Sequence, residues 1–210
     1  MKRVLSTLLM FALFFTICGT TLQAQSKITY GAKGGLSIAN LYGDDVSGTD
    51  SKIGFTGGGF LGIQASDQII IQLELLYAMK GTKVDEIGLE LKVKLNYIET
   101  PILIKWMFPT EGNVKPSLFI GGAPAFLVSA KAEADIGGVA VEADIKDFTK
   151  RFDFGVVFGG GLDFAAGSGT FVIDVRYTLG LTSVDDTGFD KDVKNKAFSA
   201  SIGYAIGVGQ

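Results

Sequence analysis

Apolar residues recur at every second position through most of the sequence, and this feature most limits how the chain can fold. In the clearest run the apolar positions are Phe152, Phe154, Val156, Phe158, Leu162 and Phe164, with small or charged residues between them. A period of two is typical of a β-strand with one apolar and one polar face. Similar runs occupy residues 28–38, 52–65, 69–79, 89–108, 117–131, 171–179 and 198–208. The sequence therefore predicts eight strands.

The run at 89–108 changes phase in its middle. Leu95 and Tyr97 continue one apolar parity, whereas Ile98 and the apolar residues after it occupy the other. A β-bulge inserts one extra residue and so can restore a single apolar face. We expect a bulge near Tyr97 and Ile98, which would place Lys94, Asn96, Glu99 and Lys105 together on the polar face.

The connections between the predicted strands alternate in length. The segments 41–51, 80–90, 131–151 and 182–195 are long, and the segments 65–68, 109–116 and 166–169 are short. In an up-and-down sheet, alternate connections lie at opposite ends, and outer-membrane barrels have short periplasmic turns and longer outer loops. We therefore expect an all-β fold, an eight-stranded antiparallel up-and-down transmembrane β-barrel, over residues 25–210.

The first residues predict export. Lys2 and Arg3 precede a short apolar stretch, and Ala24 provides a small residue at which a signal peptidase can cut. We expect residues 1–24 to be a cleaved signal peptide and the mature protein to lie in the bacterial outer membrane. The composition agrees, because 47% apolar residues and 29 glycines in 210 exceed what a soluble domain of this size uses.

A secreted, lipocalin-like ligand-binding barrel is the alternative fold, since its strands also alternate. It would point the apolar face inward around a ligand. The polar face of the predicted strands carries many charges, which would line a poor cavity for an apolar ligand but can pair inside a membrane barrel. The parity of the charges therefore favours an apolar face in contact with lipid.

Four segments resemble a known family. They are Tyr30–Ser37, the Asn-Tyr-x-Glu-x-Pro stretch within Leu95–Lys105, Asp153–Gly161 and Asp174–Tyr177. They are similar to the PorT-like outer-membrane β-barrel domains, relatives in architecture of the small OmpA and OmpX barrels. The resemblance implies an integral outer-membrane barrel and assigns no activity to any residue of this chain.

The predicted polar face contains one set of charged residues that could take part in chemistry. Its members are Lys33, Glu74, Glu99, Lys105, Asp153, Asp163, Asp174 and Arg176. The interior of an eight-stranded barrel is only wide enough to be filled by side chains. We expect these residues to form a structural polar network. A narrow small-solute channel is the alternative, because Gly31, Gly35, Ser199, Ser201, Gly203 and Gly207 could leave space beside the charges.

The sequence predicts neither catalysis nor a cofactor. It contains no histidine, and its one cysteine, Cys18, lies in the predicted signal peptide. The run Gly57–Gly62 matches G-x-G-x-x-G, but this fingerprint needs a strand-to-helix turn, and the run lies within a predicted strand. Without Lys2 and Arg3 the chain has 17 basic and 22 acidic residues, which does not suggest nucleic-acid binding. We expect no enzyme activity, no metal and no cofactor.

The long connections predict where partners could bind. They are acidic, with Asp44, Asp45, Asp50, Asp85, Glu86, Glu133, Asp135, Glu142, Asp144, Asp147, Asp185, Asp186, Asp190 and Asp192. Within 131–151, two similar five-residue segments flank Gly137 and Gly138, which predicts a hairpin that extends the barrel. We expect a monomer in contact with outer-membrane lipid and lipopolysaccharide, with a possible protein partner at 131–151.

Overall fold

The computed structural model describes residues 27–44, 46, 48–86, 89–136, 139–189 and 191–208. The predicted signal peptide lies outside these residues. The strands are β1 (Ile28–Tyr42), β2 (Asp50–Gln64), β3 (Ile69–Glu86), β4 (Leu89–Glu99), β5 (Ile102–Met107), β6 (Val114–Ile136), β7 (Val139–Asp144), β8 (Phe152–Ala166), β9 (Gly169–Gly180) and β10 (Lys194–Val208). A single turn of 3-10 helix covers Lys146–Phe148. No helix in the described part of the chain is long and apolar enough to cross a membrane.

The strands form a closed antiparallel ring with eight positions. Strands β4 and β5 share one position, because β3 and β6 each pair with both of them. The ring closes where β1 pairs with β10, from Ile28 opposite Val208 to Tyr42 opposite Lys194. Strand β7 lies outside the ring and pairs with the end of β6. The predicted eight-stranded up-and-down barrel is confirmed.

Pro101 separates β4 from β5 without opening the barrel wall. Proline has no N–H, so it cannot donate to a neighbouring strand. The carbonyl of Pro101 still accepts a hydrogen bond from the Glu74 N–H at 2.9 Å, and the Thr100 N–H donates to the Pro124 carbonyl at 2.8 Å. The wall is therefore hydrogen-bonded on both sides of the break.

The apolar face of the strands points outward, as predicted. On β8 the side chain of Phe158 is 49% exposed, whereas that of its neighbour Val157 is 1% exposed. Leu36, Ile53, Ile104 and Ile202 are likewise exposed on other strands, and Lys33, Glu74 and Arg176 are buried inside. This orientation excludes the lipocalin-like alternative, in which the apolar face would surround a cavity.

The expected orientation of β4 was wrong. Leu95 and Tyr97 are buried inside the barrel, where they form an apolar cluster with Leu127, Ala130 and Val184. The register does shift between Asn96 and Tyr97, but the extra residue is Val128 on β6. Since side chains alternate along a strand, Lys94 and Asn96 lie on the outer parity, away from Glu99 and Lys105. The change of apolar parity in the sequence therefore arises because Leu95 and Tyr97 on β4 are apolar residues that point into the barrel.

The connections differ in length at the two ends of the barrel, as predicted. One end, here called the short-turn end, has the connections 65–68, 108–113 and 167–168. The opposite, long-loop end has the longer connections, but 80–90 is not a loop. Strands β3 and β4 pair from Leu76 opposite Glu99 to Glu86 opposite Leu89, so they extend beyond the rest of the ring as a hairpin. Strands β6 and β7 extend beside them, which confirms the pairing predicted within 131–151; the turn at Gly137 and Gly138 lies outside the described residues.

Candidate functional site in the barrel interior

The structure brings the eight predicted interior residues into three groups of ion pairs. Lys33, Glu74, Asp174 and Arg176 form the first group, which is called the arginine cluster below. Glu99 and Asp153 belong to a second group around Lys80. Lys105 and Asp163 form a separate pair. Every predicted residue therefore has a partner of opposite charge.

The arginine cluster contains two cations and two carboxylates in alternating contact. Arg176 Nη1 lies 2.7 Å from Glu74 Oε2, and Arg176 Nε and Nη2 each lie 3.0 Å from an oxygen of Asp174. Lys33 Nζ bridges the same carboxylates, at 2.6 Å from Glu74 and 3.1 Å from Asp174. Gln72 Nε2 donates a further hydrogen bond to Glu74 Oε1 at 2.5 Å. The charges of this group are balanced.

Aromatic rings cover the cations of the arginine cluster. The guanidinium carbon of Arg176 lies 5.2 Å from the centre of the Phe119 ring, and Lys33 Nζ lies 5.7 Å from that of Phe60. Cations are attracted to the faces of aromatic rings at this distance. Both rings are buried within the barrel, so the cluster is held between apolar groups and away from bulk water.

The second group combines ion pairs with neutral hydrogen bonds. Lys80 Nζ lies 2.5 Å from Glu99 Oε1 and 3.8 Å from Asp153 Oδ2. Asp153 also accepts hydrogen bonds from Thr182 Oγ1 at 2.8 Å and from Asn195 Nδ2 at 2.9 Å. The donors thus come from β3, β10 and the residues after β9. This group connects the wall of the barrel to the connection at the long-loop end.

The pair of Lys105 and Asp163 is closer to the short-turn end. Lys105 Nζ donates to both carboxylate oxygens of Asp163 at 2.8 Å. Its side chain is buried, whereas that of Asp163 is 15% exposed. The pair joins β5 on one side of β6 to β8 on the other.

Several interior polar residues were missed by the sequence analysis. The alternation on β3 places Lys80 on the same polar parity as Glu74, but Lys80 was left out of the predicted set. Tyr97 was assigned to the outer face because of the phase change, but its hydroxyl accepts a hydrogen bond from Asn195 at 3.3 Å. Thr182 follows β9, where no alternation predicts its direction. Lys52 is also buried, and its ammonium group donates to the Lys80 carbonyl at 3.4 Å.

Side chains fill most of the space between these groups. A cavity of about 20 Å³ borders Lys80, Glu99 and Arg176, and one of about 10 Å³ borders Lys33 and Arg176. Such volumes are close to that needed for a single water molecule. Aromatic rings occupy the space beside glycines: a Cβ at Gly31 would lie 2.7 Å from Phe60 Cζ, and one at Gly159 would lie 2.6 Å from Phe119 Cζ.

The interior arrangement has no open reaction centre among the described residues. Its carboxylates form ion pairs or hydrogen bonds with lysine, arginine, threonine and asparagine side chains. No group of three or more His, Cys, Asp or Glu side chains in the described part of the chain is arranged to hold a metal ion. The geometry is that of a polar network that connects strands.

At the long-loop end, several of the predicted acidic residues are paired with lysines on the extended hairpins. Glu133 on β6 and Glu142 on β7 are directly opposite each other, an arrangement of like charges that destabilises a sheet. Lys94 forms an ion pair with Glu133, and Lys131 forms one with Glu142 at 2.5 Å. The hydrogen bond from Lys131 holds the pKa of Glu142 below its usual value and raises the pKa of Lys131. These pairs join β4, β6 and β7 above the barrel.

Comparison with solved structures returns small outer-membrane barrels. Neisserial surface protein A is 14% identical with a TM-score of 0.47, and the match covers 86% of this chain and 96% of that one. The attachment invasion locus protein Ail of Yersinia pestis, in complex with the heparin analogue sucrose octasulfate, is 15% identical with a TM-score of 0.45, over 87% and 99%. The N-terminal β-barrel domain of Pseudomonas aeruginosa OprF is 13% identical with a TM-score of 0.43, over 89% and 100%.

The family comparison identifies the chain. No curated protein matches the sequence. The family described as the outer membrane protein beta-barrel domain matches residues 23–186, which include most of the strands of the ring. The chain therefore belongs to the outer membrane protein beta-barrel domain family, and it is an integral β-barrel of the bacterial outer membrane.

Proposed function

We propose that this protein is a non-enzymatic outer-membrane barrel that acts through protein contacts at its long-loop end. Outer-membrane barrels carry their longer loops on the cell surface, so this end faces outward. The single observation that carries the proposal is the open edge of β7. Within the described residues, β7 pairs with β6 alone, so its other edge has no strand partner.

The extended sheet has the properties of a surface that accepts another strand. An unpaired edge offers backbone N–H and C=O groups to an extended segment of a partner, and pockets beside it give specificity. Val141 on β7 is 57% exposed, so the strand with the open edge also offers an apolar side chain. The ion pairs of Glu133 with Lys94 and of Glu142 with Lys131 stabilise the extended sheet in the absence of a partner.

The interior supports a role without catalysis. The carboxylates that could act as acid or base are closed into ion pairs, and the cavities beside them do not accommodate a substrate. The sequence also contains no histidine, the commonest general acid or base. If this proposal is correct, outer membranes from cells with and without the protein will contain the same lipid species by mass spectrometry. A modified lipid present only with the protein would contradict it.

Site-specific photocrosslinking in intact cells tests the contact surface. A photoreactive amino acid at Val141 should give crosslinks to another protein, and the same probe at Glu111, in a connection at the short-turn end, serves as the control. A second variant replaces residues 133–142 with a short Gly-Asn-Gly turn and should lose any partner that crosslinks at Val141. The proposal fails if crosslinking is equal at both positions, or if the shortened variant retains the partner.

A further inference from the structure

One region of the long-loop end combines exposed aromatic residues with unpaired basic residues. Phe126 and Phe152 are 54% and 46% exposed on the outer face, and their rings contact each other edge to face with centres 5.4 Å apart. Lys150 and Arg151 immediately precede Phe152, and both are exposed. With Lys146, these four residues are called the rim patch below.

The rim patch lies at one border of the apolar band of the barrel. Phe152 and Phe164 mark the two ends of the outward apolar run on β8. A rise of about 3.3 Å per residue and a strand tilt of about 40° place them about 30 Å apart along the membrane normal, close to the height of the apolar band in such barrels. Lys150 and Arg151 therefore lie just beyond the hydrocarbon region, at the depth of lipid headgroups.

The cations of the rim patch are available to a ligand. Neither Lys150 nor Arg151 forms an ion pair with any other described residue. They border a cleft of about 620 Å³ with Phe152, Thr182, Ser183 and Asp186. Lys146 approaches the outer face nearby, where its ammonium group donates to the Val128 carbonyl at 2.9 Å. Among the residues that line the cleft, the two cations Lys150 and Arg151 outnumber the one carboxylate, Asp186.

The backbone around the rim patch is fixed by hydrogen bonds. The Lys150 N–H donates to the Val184 carbonyl at 2.8 Å, and the Leu127 N–H donates to the Arg151 carbonyl at 2.8 Å. The Thr149 side chain is buried and bonds to the Ile145 carbonyl at 2.9 Å. The basic residues are thus presented from an ordered segment and need little reorganisation to hold an anion.

We propose that the rim patch binds the phosphate headgroup of an anionic lipid in the outer leaflet, with the lipid acyl chains against Phe126 and Phe152. A lipid of this kind fits both the basic and the aromatic residues of the rim patch. Its phosphate can form ion pairs with Lys150 and Arg151, and its acyl chains can pack against the rings of Phe126 and Phe152. Thr182 and Ser183 border the same cleft, but their hydroxyls already donate to Asp153 Oδ1 at 2.8 Å and to the Lys191 carbonyl at 2.7 Å, so the headgroup contacts come from Lys150 and Arg151. This inference is independent of the hairpin contact surface.

Native mass spectrometry of the detergent-solubilised protein, purified from outer membranes, tests the inference. The protein is titrated with a diphosphorylated outer-leaflet glycolipid and with the same lipid lacking phosphate. For the phosphorylated lipid, the apparent Kd of the double variant Lys150→Gln, Arg151→Gln should rise by about 10- to 30-fold, since a basic residue near a charged lipid surface contributes roughly tenfold or less. The control Lys27→Gln, Lys115→Gln removes the same charge from exposed residues at the short-turn end and should leave the apparent Kd unchanged.

Three results would overturn the inference. The double variant could bind the phosphorylated lipid as tightly as the wild type, or the lipid without phosphate could bind as tightly as the phosphorylated one. Inorganic phosphate at the lipid concentration could also displace the lipid, which would indicate a site for the free anion. If the double variant does not show the gel shift of a folded barrel, the single variants Lys150→Gln and Arg151→Gln provide the same comparison with smaller effects.

Discussion

Arg176 and Glu74 join opposite sides of the barrel, with Arg176 Nη1 2.7 Å from Glu74 Oε2. Arg176 lies on β9 and Glu74 on β3, and three ring positions separate these strands in either direction. A contact across the full diameter restricts the shape of the barrel more than a contact between neighbouring strands does. The arginine cluster therefore acts as a central brace for the wall.

Substitution of Arg176 should destabilise the barrel strongly. Arg176→Gln would leave Glu74 and Asp174 with Lys33 as their only charged partner, and removing one partner from a buried ion pair costs about 3–5 kcal/mol. The free energy of unfolding is measured by urea titration in lipid vesicles. Arg176→Lys retains the charge without the two-pronged geometry and should lie between wild type and Arg176→Gln. Equal stability of Arg176→Gln and the exposed control Lys191→Gln would show that the cluster is not a brace.

Adjacent residues on β8 should differ in their access to lipid. A cysteine in place of Phe158 should react with a thiol probe confined to the bilayer, whereas one in place of Val157 should not, because these side chains lie on opposite faces of the wall. Labelling is quantified by mass after insertion into vesicles. Preferential labelling at position 157 would reverse the orientation of the strands.

Gly81 should not tolerate a side chain. Its φ of +118° is in the region that favours glycine, and a Cβ there would lie 2.0 Å from the Val93 carbonyl oxygen. Gly81→Ala should therefore lower the free energy of unfolding by about 1–3 kcal/mol. Gly207→Ala is the matched control, because no atom lies within 4 Å of its added Cβ, and we expect no measurable change.

The carboxyl group of Glu142 should titrate below the usual range of a glutamate. The hydrogen bond from Lys131 stabilises the charged form and so lowers the pKa of Glu142. A depressed pKa means that the pair stabilises the hairpin above the ordinary glutamate pKa, and that this stabilisation is lost as the pH falls through the lowered pKa of Glu142. Carboxyl ¹³C NMR of Glu142 measures the midpoint. In Lys131→Gln the midpoint should rise, and an unchanged midpoint would exclude the pair in solution.

The barrel should not conduct small ions when inserted into a planar bilayer. The small residues Gly31 and Gly159 lie beside the rings of Phe60 and Phe119, which occupy the space that a channel would need. Removing both rings by Phe60→Ala and Phe119→Ala creates a wider interior and supplies the comparison. Discrete conductance steps from the wild-type protein would support the channel hypothesis instead.

The alternation of the sequence predicted most of the wall correctly. On β8 and β9 every charged interior residue was assigned to the right face, since a period of two maps directly onto the two faces of a strand. The same argument predicted the inward direction of Lys33 and Glu74. It did not predict their partners, because residues far apart in sequence meet only after the ring closes.

The predicted orientation is wrong where apolar residues face inward. Leu95 and Tyr97 were placed toward lipid because they are apolar, yet they pack inside against Leu127. A small barrel needs some apolar volume in its interior, and composition does not distinguish that volume from a lipid-facing surface. The segment 80–90 was assigned to a long connection, although its backbone continues the ladder of β3 and β4.

By itself, the sequence determined the strand count, the lipid-facing parity and the two unequal ends, because these depend on local period and spacing. The tertiary structure alone decided that Arg176 meets Glu74 across the barrel, that Asn195 and Thr182 join Asp153, and that basic residues lie beside aromatic rings at one border. These relationships depend on strand register and ring closure, which bring together residues that no local pattern connects.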